Sequence, residues 1–342
     1  IKEPCVKDSK LKILKFISYL YSHFTVFHQV FRFLVKKRND FITIHAIGGS
    51  ILTYSCIIAS KLLRKKTMVE CTLLNEPPVL QKGASLYKNL VTKLEKAIYT
   101  RADFFIPISP ALSDQLLSIG IKPDKIEVVS NPVDSNKFSP PDDNGKQRLK
   151  KKLELIEKYS VFLFVGAIIR RKGVHLFPKM FRHVFSAFPN SMFVFAGEDN
   201  FTCEQKKNKD TLLSAANSSQ IRFVGNVDNV NEFMKVADFF IFPTLRESLG
   251  NVVLEAMATG VPVLMNELPG ISDFMIESGK NGFIIPDNNP HAYYDIICKL
   301  VEHPELYKNI SRNAVITAKT RFSIENRNIK INRIYDKTSS KS

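Results

Sequence analysis

Apolar stretches long enough to cross a bilayer are missing from this chain. A span needs roughly 18 or more uncharged apolar residues in a row, and the apolar N-terminal part is broken by Lys10, Lys12, Lys15, Arg32 and Lys36. Neither a span nor a signal peptide is legible, so the expected place is the cytoplasm. Cysteine is scarce and unpatterned: Cys5, Cys56, Cys71, Cys203 and Cys298 are five in number, far apart, and form no C-x-x-C pair. That excludes a disulfide scaffold and a structural zinc site and fits a reducing compartment. Acid is in deficit, with 33 Asp and Glu against 49 Lys and Arg and a formal net charge of +16. Such a balance asks for a polyanionic partner, nucleic acid or anionic lipid. The basic residues are dispersed and match no nucleic-acid motif, so no nucleic acid is expected. The first forty residues alternate Leu11, Leu14, Phe16, Ile17, Leu20 and Tyr21 with Lys and His. An interfacial helix on the inner face of a membrane has that pattern, and so has a helix packed on a sheet.

What is present is globular. With 342 residues and 44% hydrophobic content, the chain can build two cores of ordinary size. Strand and helix patterns alternate along it: strands at Phe41–His45, Thr67–Leu73, Asp103–Ile108 and Ile126–Val129, then a stretch from Asn131 to Gly145 rich in Pro, Asn and Asp. That stretch is the linker. Six more strands follow, at Ser160–Gly166, Ser191–Ala196, Ile221–Val224, Ala237–Phe242, Pro262–Met265 and Gly282–Ile285. Such alternation predicts parallel, doubly wound α/β sheets. The expected division is 1–138, 139–322, and a C-terminal helix over 323–342 that packs back on the first domain.

The chain is organised around Phe239 to Gly260, FFIFPTLRESLGNVVLEAMATG. Phe239 to Phe242 reads as a buried strand ended by Pro243, and Val252 to Met257 as a helix stopped by Gly260. In an open α/β sheet the loop at a strand's carboxyl end meets the ligand, and a helix N-terminus offers free N–H groups to an anion. Ser248, Leu249, Gly250 and Asn251 occupy that turn. Glu247 precedes it and Glu255 lies inside the helix, where it can accept hydrogen bonds from a diol. The plainer reading makes Glu247 a partner of the helix dipole and Glu255 a solvated helix residue. Farther back, Gly166-Ala-Ile-Ile-Arg170-Arg171-Lys172-Gly173 stands between a strand and a helix. Its three cations and two glycines suit a diphosphate; alternatively it is a solvated basic turn. No Asp-x-Asp triplet occurs, so no metal bridge is expected.

The two glutamates in their context, ESLGNVVLEAMATGVPV, resemble the E-x7-E donor site of retaining GT-B glycosyltransferases, glycosyltransferase family 4 above all. The resemblance extends over most of the chain: RADFFIPISPALSDQLLSIGIKPDKIEVVSNPVDSNKF looks like the end of that family's first domain, and FLFVGAIIRRKGVHLF like the start of its second. It implies a GT-B fold, two Rossmann-like domains facing a cleft, and transfer of a hexose-type sugar from a nucleoside diphosphate sugar to a hydroxyl of a glycan or lipid-linked acceptor. No cofactor is implied. Lys172 matches the lysine that binds the donor diphosphate. Many members carry an arginine where Ala167 stands, so Arg170 or Arg171 must supply the second charge. Glu247 would orient sugar hydroxyls, Glu255 the ribose, and Gly225 and Asn226, after a strand, would meet the base. On the acceptor side His45 matches a histidine that faces the sugar, beside the Gly48 and Gly49 turn, with Asn75 and Glu76 at the next strand's end.

Two other classes share parts of the pattern. A non-catalytic nucleotide-sugar-binding paralogue has the same fold and accounts for Ala167; a nucleic-acid-binding α/β protein accounts for the charge alone. The family's first domain also opens with a strand and a glycine-rich loop, whereas four strands are legible before the linker here, so a missing N-terminal strand is expected.

Overall fold

A computed structural model describes residues 9–74, 78, 86–142, 144–199, 201–217 and 219–339. The chain divides into two compact units. Unit 1 takes the chain up to Ile108, Leu112–Val129 and the chain from Ile331; unit 2 takes Ser109–Ala111 and Ser130–Lys330. The break falls before the expected 138, because the linker's first half is bound into unit 2. Val133 bridges Ser323 and donates its N–H to Phe322 O at 2.8 Å. The C-terminal helix Ile324–Ser339 begins in unit 2 and ends in unit 1.

Unit 1 is built on three parallel strands in the order 1-2-3: β1 (Thr43–Ile47), β2 (Lys66–Cys71) and β3 (Phe104–Pro107). Helices Ser9–Lys36, Ile51–Leu62 and Leu86–Tyr99 belong to the same unit. The expected strand at Ile126–Val129 is reduced to a single bridge, Phe105 to Ile126, and two backbone bonds, from Glu127 N–H to Phe105 O and from Val129 N–H to Pro107 O. Ile334 fills a core cluster with Met68, Phe104, Ile106 and Val129.

Unit 2 carries six parallel strands: β4 (Ser160–Val165), β5 (Ser191–Ala196), β6 (Ile221–Gly225), β7 (Phe239–Phe242), β8 (Val263–Asn266) and β9 (Phe283–Ile285), in the order 6-5-4-7-8-9. Strands buried on both faces read as continuous apolar runs, as SMFVFA and FFIF do here. Phenylalanines stack across neighbours, Phe193 on Phe162 at 4.9 Å and Phe162 on Phe239 at 5.1 Å between centroids. Burying each such ring contributes about 2–3 kcal/mol. The chain leaves β4 in one direction, then returns to place β7 on its other side. That reversal puts the carboxyl ends of β4 and β7 side by side, the switch point where open α/β sheets bind ligands. Among the described residues, no helix is long and apolar enough to cross a membrane.

Candidate functional site

The loops that leave β4 and β7 are fastened to each other. The first makes a short 3-10 turn at Arg170–Lys172 and closes on Gly173, whose backbone is left-handed at φ 78°. A Cβ at that position would lie 1.7 Å from Pro243 O, so the two backbones meet where only glycine fits. Leu245 donates its N–H to Arg171 O at 2.9 Å. This fastening brings three of the expected residues together. Lys172 Nζ lies 2.5 Å from Glu247 Oε1 and 5.3 Å from the centroid of the Phe242 ring. Arg171 Nη1 stands 3.8 Å from the same carboxylate oxygen and donates to Arg246 O at 2.9 Å. Thr244 Oγ1 adds a third donor to Glu247 Oε1, at 3.0 Å.

Lys172 and Glu247 are mostly buried, with side chains 16% and 12% exposed. One oxygen of Glu247 is thus crowded by donors, while Oε2 has no partner among the described residues. Arg170 differs from Arg171. Its backbone N–H is held by Glu204 Oε1 at 2.8 Å, and its exposed guanidinium has no partner among the described residues. Nearby, burial and the charges of Arg170 and Lys179 push the His175 imidazole below its usual pKa.

The helix Asn251–Thr259 starts from Gly250, at φ 93°, with no side-chain cap. Asn251 Oδ1 instead accepts from Asn131 Nδ2 at 3.1 Å. Leu249 is 2% exposed, so its side chain belongs to the core and only its backbone remains for a ligand. Glu255 is half-buried and has no side-chain partner among the described residues. Burial pushes its carboxyl above the ordinary range, against the attraction of Lys137. At the end of β6, Gly225 has φ 69° and its carbonyl accepts the Gly197 N–H at 2.7 Å. A Cβ on Gly225 would meet nothing within 4 Å, and Asn226 beside it is exposed.

In unit 1, His45 lies inside β1 rather than at a strand end. Its Nδ1 is 2.9 Å from Tyr335 OH, and its Nε2 is 3.5 Å from Glu70 Oε2 without a hydrogen bond. Gly48 turns at φ 81°, donating to Glu70 O at 2.8 Å and accepting from Thr53 Oγ1 at 2.6 Å; Gly49 follows it. Asn75 and Glu76 lie outside the described residues. Sequence reasoning missed Thr244, whose hydroxyl reaches Glu247 three residues on, and Tyr335, whose partner His45 is 290 residues away; Asn266, a lone amide after the apolar Val263-Leu264-Met265, carried a signal. Among the described residues, no three His, Cys, Asp or Glu side chains form a group able to hold a metal.

Two all-parallel α/β units, the second with its loops joined at the switch point, define a Rossmann-like GT-B architecture. Anabaena Alr3699/HepE in complex with UDP has that fold, at TM-score 0.77 and 19% identity over 90% of this chain and 82% of its own. A glycosyltransferase from Rickettsia africae ESF-5 has it too, at TM-score 0.78 and 16% identity over 100% of this chain and 85% of its own. The family model described as "Glycosyl transferases group 1" matches residues 145–316, and "Glycosyltransferase Family 4" matches residues 12–137. The chain belongs to the glycosyl transferases group 1 family. Among curated relatives, the Staphylococcus aureus capsular polysaccharide biosynthesis glycosyltransferase CapM is 28% identical over 67% of this chain. The Escherichia coli UDP-Gal:alpha-D-GlcNAc-diphosphoundecaprenol alpha-1,3-galactosyltransferase is 26% identical over 63% of it. The chain spans 60% and 55% of the lengths of these two proteins.

Proposed function

We propose that this protein transfers a hexose-type sugar from a nucleoside diphosphate sugar to a hydroxyl of a glycan or lipid-linked acceptor, with retention of configuration and with side-chain cations in place of a metal. The observation that carries the reading is the Lys172–Glu247 pair at the β4/β7 switch point, with Arg171 beside it and the Arg170 guanidinium without a partner among the described residues. The relatives support the substrate class: HepE was solved with UDP and with UDP-glucose, and the E. coli relative is a UDP-Gal transferase by name.

The chemistry asks chiefly for a stabilised leaving group. Lys172 and Arg170, with N–H groups from Ser248 to Asn251, would hold the departing diphosphate as its charge grows. Each well-placed donor of this kind is worth about 3–4 kcal/mol. Glu247 keeps Lys172 extended toward the site and offers Oε2 to a sugar hydroxyl. Glu255 would take the ribose diol, whose hydrogen bonds offset the cost of ionising a half-buried carboxyl. On unit 1, His45 is the proposed acceptor-side histidine, with its ring orientation set by Tyr335, and Gly48 and Gly49 the proposed acceptor turn. The helix Ser9–Lys36 exposes Tyr21, Phe24 and Phe33 together with Arg32 and Lys36, which suits the inner face of an anionic membrane.

Titration calorimetry with UDP, GDP and ADP, followed by nucleoside diphosphate release from a panel of nucleotide sugars with lipid-linked acceptors, tests the reading. Binding of one diphosphate and its release from the matching sugar are expected. A protein that binds none of the three and consumes no donor is not this enzyme.

A further inference from the structure

Asn266 is a polar residue in a place that asks for an apolar one. It ends β8 after Val263, Leu264 and Met265, and all four residues are buried, Asn266 to 0% exposure. A buried amide persists when its donors and acceptor are all matched, and here they are. Nδ2 donates to Pro243 O at 2.7 Å and to Thr244 O at 3.2 Å, while Oδ1 accepts from Tyr293 OH at 2.9 Å. Two carbonyls on one side admit only the NH2 end of the amide there, so its orientation is fixed by its neighbours. Tyr293 comes from the helix Pro290–Glu302 and is itself 0% exposed.

The two carbonyls open the loop that bears Glu247, at the place where the Lys172 loop meets it. Met265 pairs with Phe242, so Asn266 stands beside Pro243, the first residue past β7. Pro243 O is the atom on which Gly173 rests. Thr244 supplies the hydroxyl that bonds Glu247 Oε1, and the next N–H, from Leu245, bonds Arg171 O. We propose that Asn266 and Tyr293 are positioning residues for the Lys172–Glu247 pair: they fix the path of residues 243–247, aim the Glu247 carboxylate, and never touch the ligand. This rests on the role proposed above for Glu247. The loop that bears Lys172 has supports of its own, Gly166 N–H to Ala196 O and Ile168 N–H to Glu198 O, both 2.8 Å. Loss of the amide network therefore misaims Glu247 more than it moves the diphosphate cations.

The test uses Tyr293→Phe, which removes only the hydroxyl, and Asn266→Asp, which keeps the acceptor and loses both donors. Exchange of the Leu245 amide, read by hydrogen–deuterium exchange, should quicken by about tenfold in Tyr293→Phe and more in Asn266→Asp, with β4 and β5 unchanged. Turnover should fall by about tenfold and hundredfold in that order, with UDP affinity within about threefold of the parent. In a Glu247→Gln background, Tyr293→Phe should cost nothing further, since its route to the reaction is already cut. Should Asn266→Asp fail to fold, Tyr293→Phe carries the test alone. Leu245 exchange equal to the parent's in Tyr293→Phe overturns the inference, whatever the enzyme does. A further tenfold loss in the Glu247→Gln background overturns it too, because general loosening would then be the cause. A parent that neither binds UDP nor consumes donor overturns the transferase reading instead, and Leu245 exchange still decides whether the two residues hold the loop.

Discussion

Gly173 and Pro243 are in backbone contact, and a Cβ on residue 173 would lie 1.7 Å from the Pro243 carbonyl oxygen. Gly173→Ala therefore forces the two loops apart as well as placing alanine at φ 78°, a conformation that costs about 1–2 kcal/mol by itself. Gly225→Ala is the matched control: φ is 69° and nothing stands within 4 Å. Thermal melts should show a loss of about 2–6 °C for Gly225→Ala and at least twice that for Gly173→Ala, which should also lose UDP binding. Equal losses in the two variants would mean that the loop contact is dispensable.

Removing one member of the Lys172–Glu247 pair leaves the other charge mostly buried. Lys172→Met and Glu247→Gln should each cost about 2 kcal/mol of stability, the value of a pair that keeps some solvent contact and, for Glu247, the neighbours Arg171 and Thr244. Each should also lower turnover by about 10² or more. The double variant should recover most of the stability and none of the turnover. Recovered turnover would place the pair in the scaffold rather than the chemistry.

Glu255 gives a pH signature. Burial raises its carboxyl above the unfolded value, with Lys137 opposing, so the folded state binds the proton more tightly than the unfolded state does. Its contribution is most favourable below the unfolded pKa and is lost as pH rises through the folded one. Without ligand, Glu255→Gln should melt higher than the parent at pH 7.5 and together with it at pH 4 and below. With nucleoside diphosphate added, the order at pH 7.5 should reverse, because the variant binds it about tenfold more weakly through the lost charge-assisted bonds to the ribose. Identical melting at both pH values would remove the burial argument.

Vesicles containing anionic lipid should bind the protein and release it as salt passes about 0.3 M, where the screening length falls well below 10 Å. Phe24→Glu or Arg32→Glu, on the exposed part of the helix Ser9–Lys36, should weaken binding at low salt without changing nucleotide affinity. Equal binding of neutral and anionic vesicles would assign the excess charge to solubility alone.

The strands of unit 2 were legible because strands buried on both faces leave unbroken apolar runs, and Phe239–Phe242 and Ser191–Ala196 were found almost to the residue. Runs with weaker burial misled. Ile126–Val129 has the composition of a strand but makes one bridge, and β1 lies at Thr43–Ile47 rather than Phe41–His45, paired to β2 from Lys66 onward. Lys172 and Glu247 were each conspicuous in their loops. Their meeting was not, because it depends on a strand order that no local pattern states. His45 shows the same limit: its partner Tyr335 is 290 residues away in the chain, and the period of β1 gives no hint of it.

Synthesis runs from the first residue to the last, and that gives Ile334 a consequence in time. Domains generally fold as they emerge, the first ahead of the second. The cluster of Met68, Phe104, Ile106 and Val129 also takes in Ile334, with Ile331 and Tyr335 packed against it, and these three leave the ribosome after every strand of unit 2. Nascent unit 1 thus waits with an apolar face uncovered while unit 2 is made, and the half translated first is the last to mature.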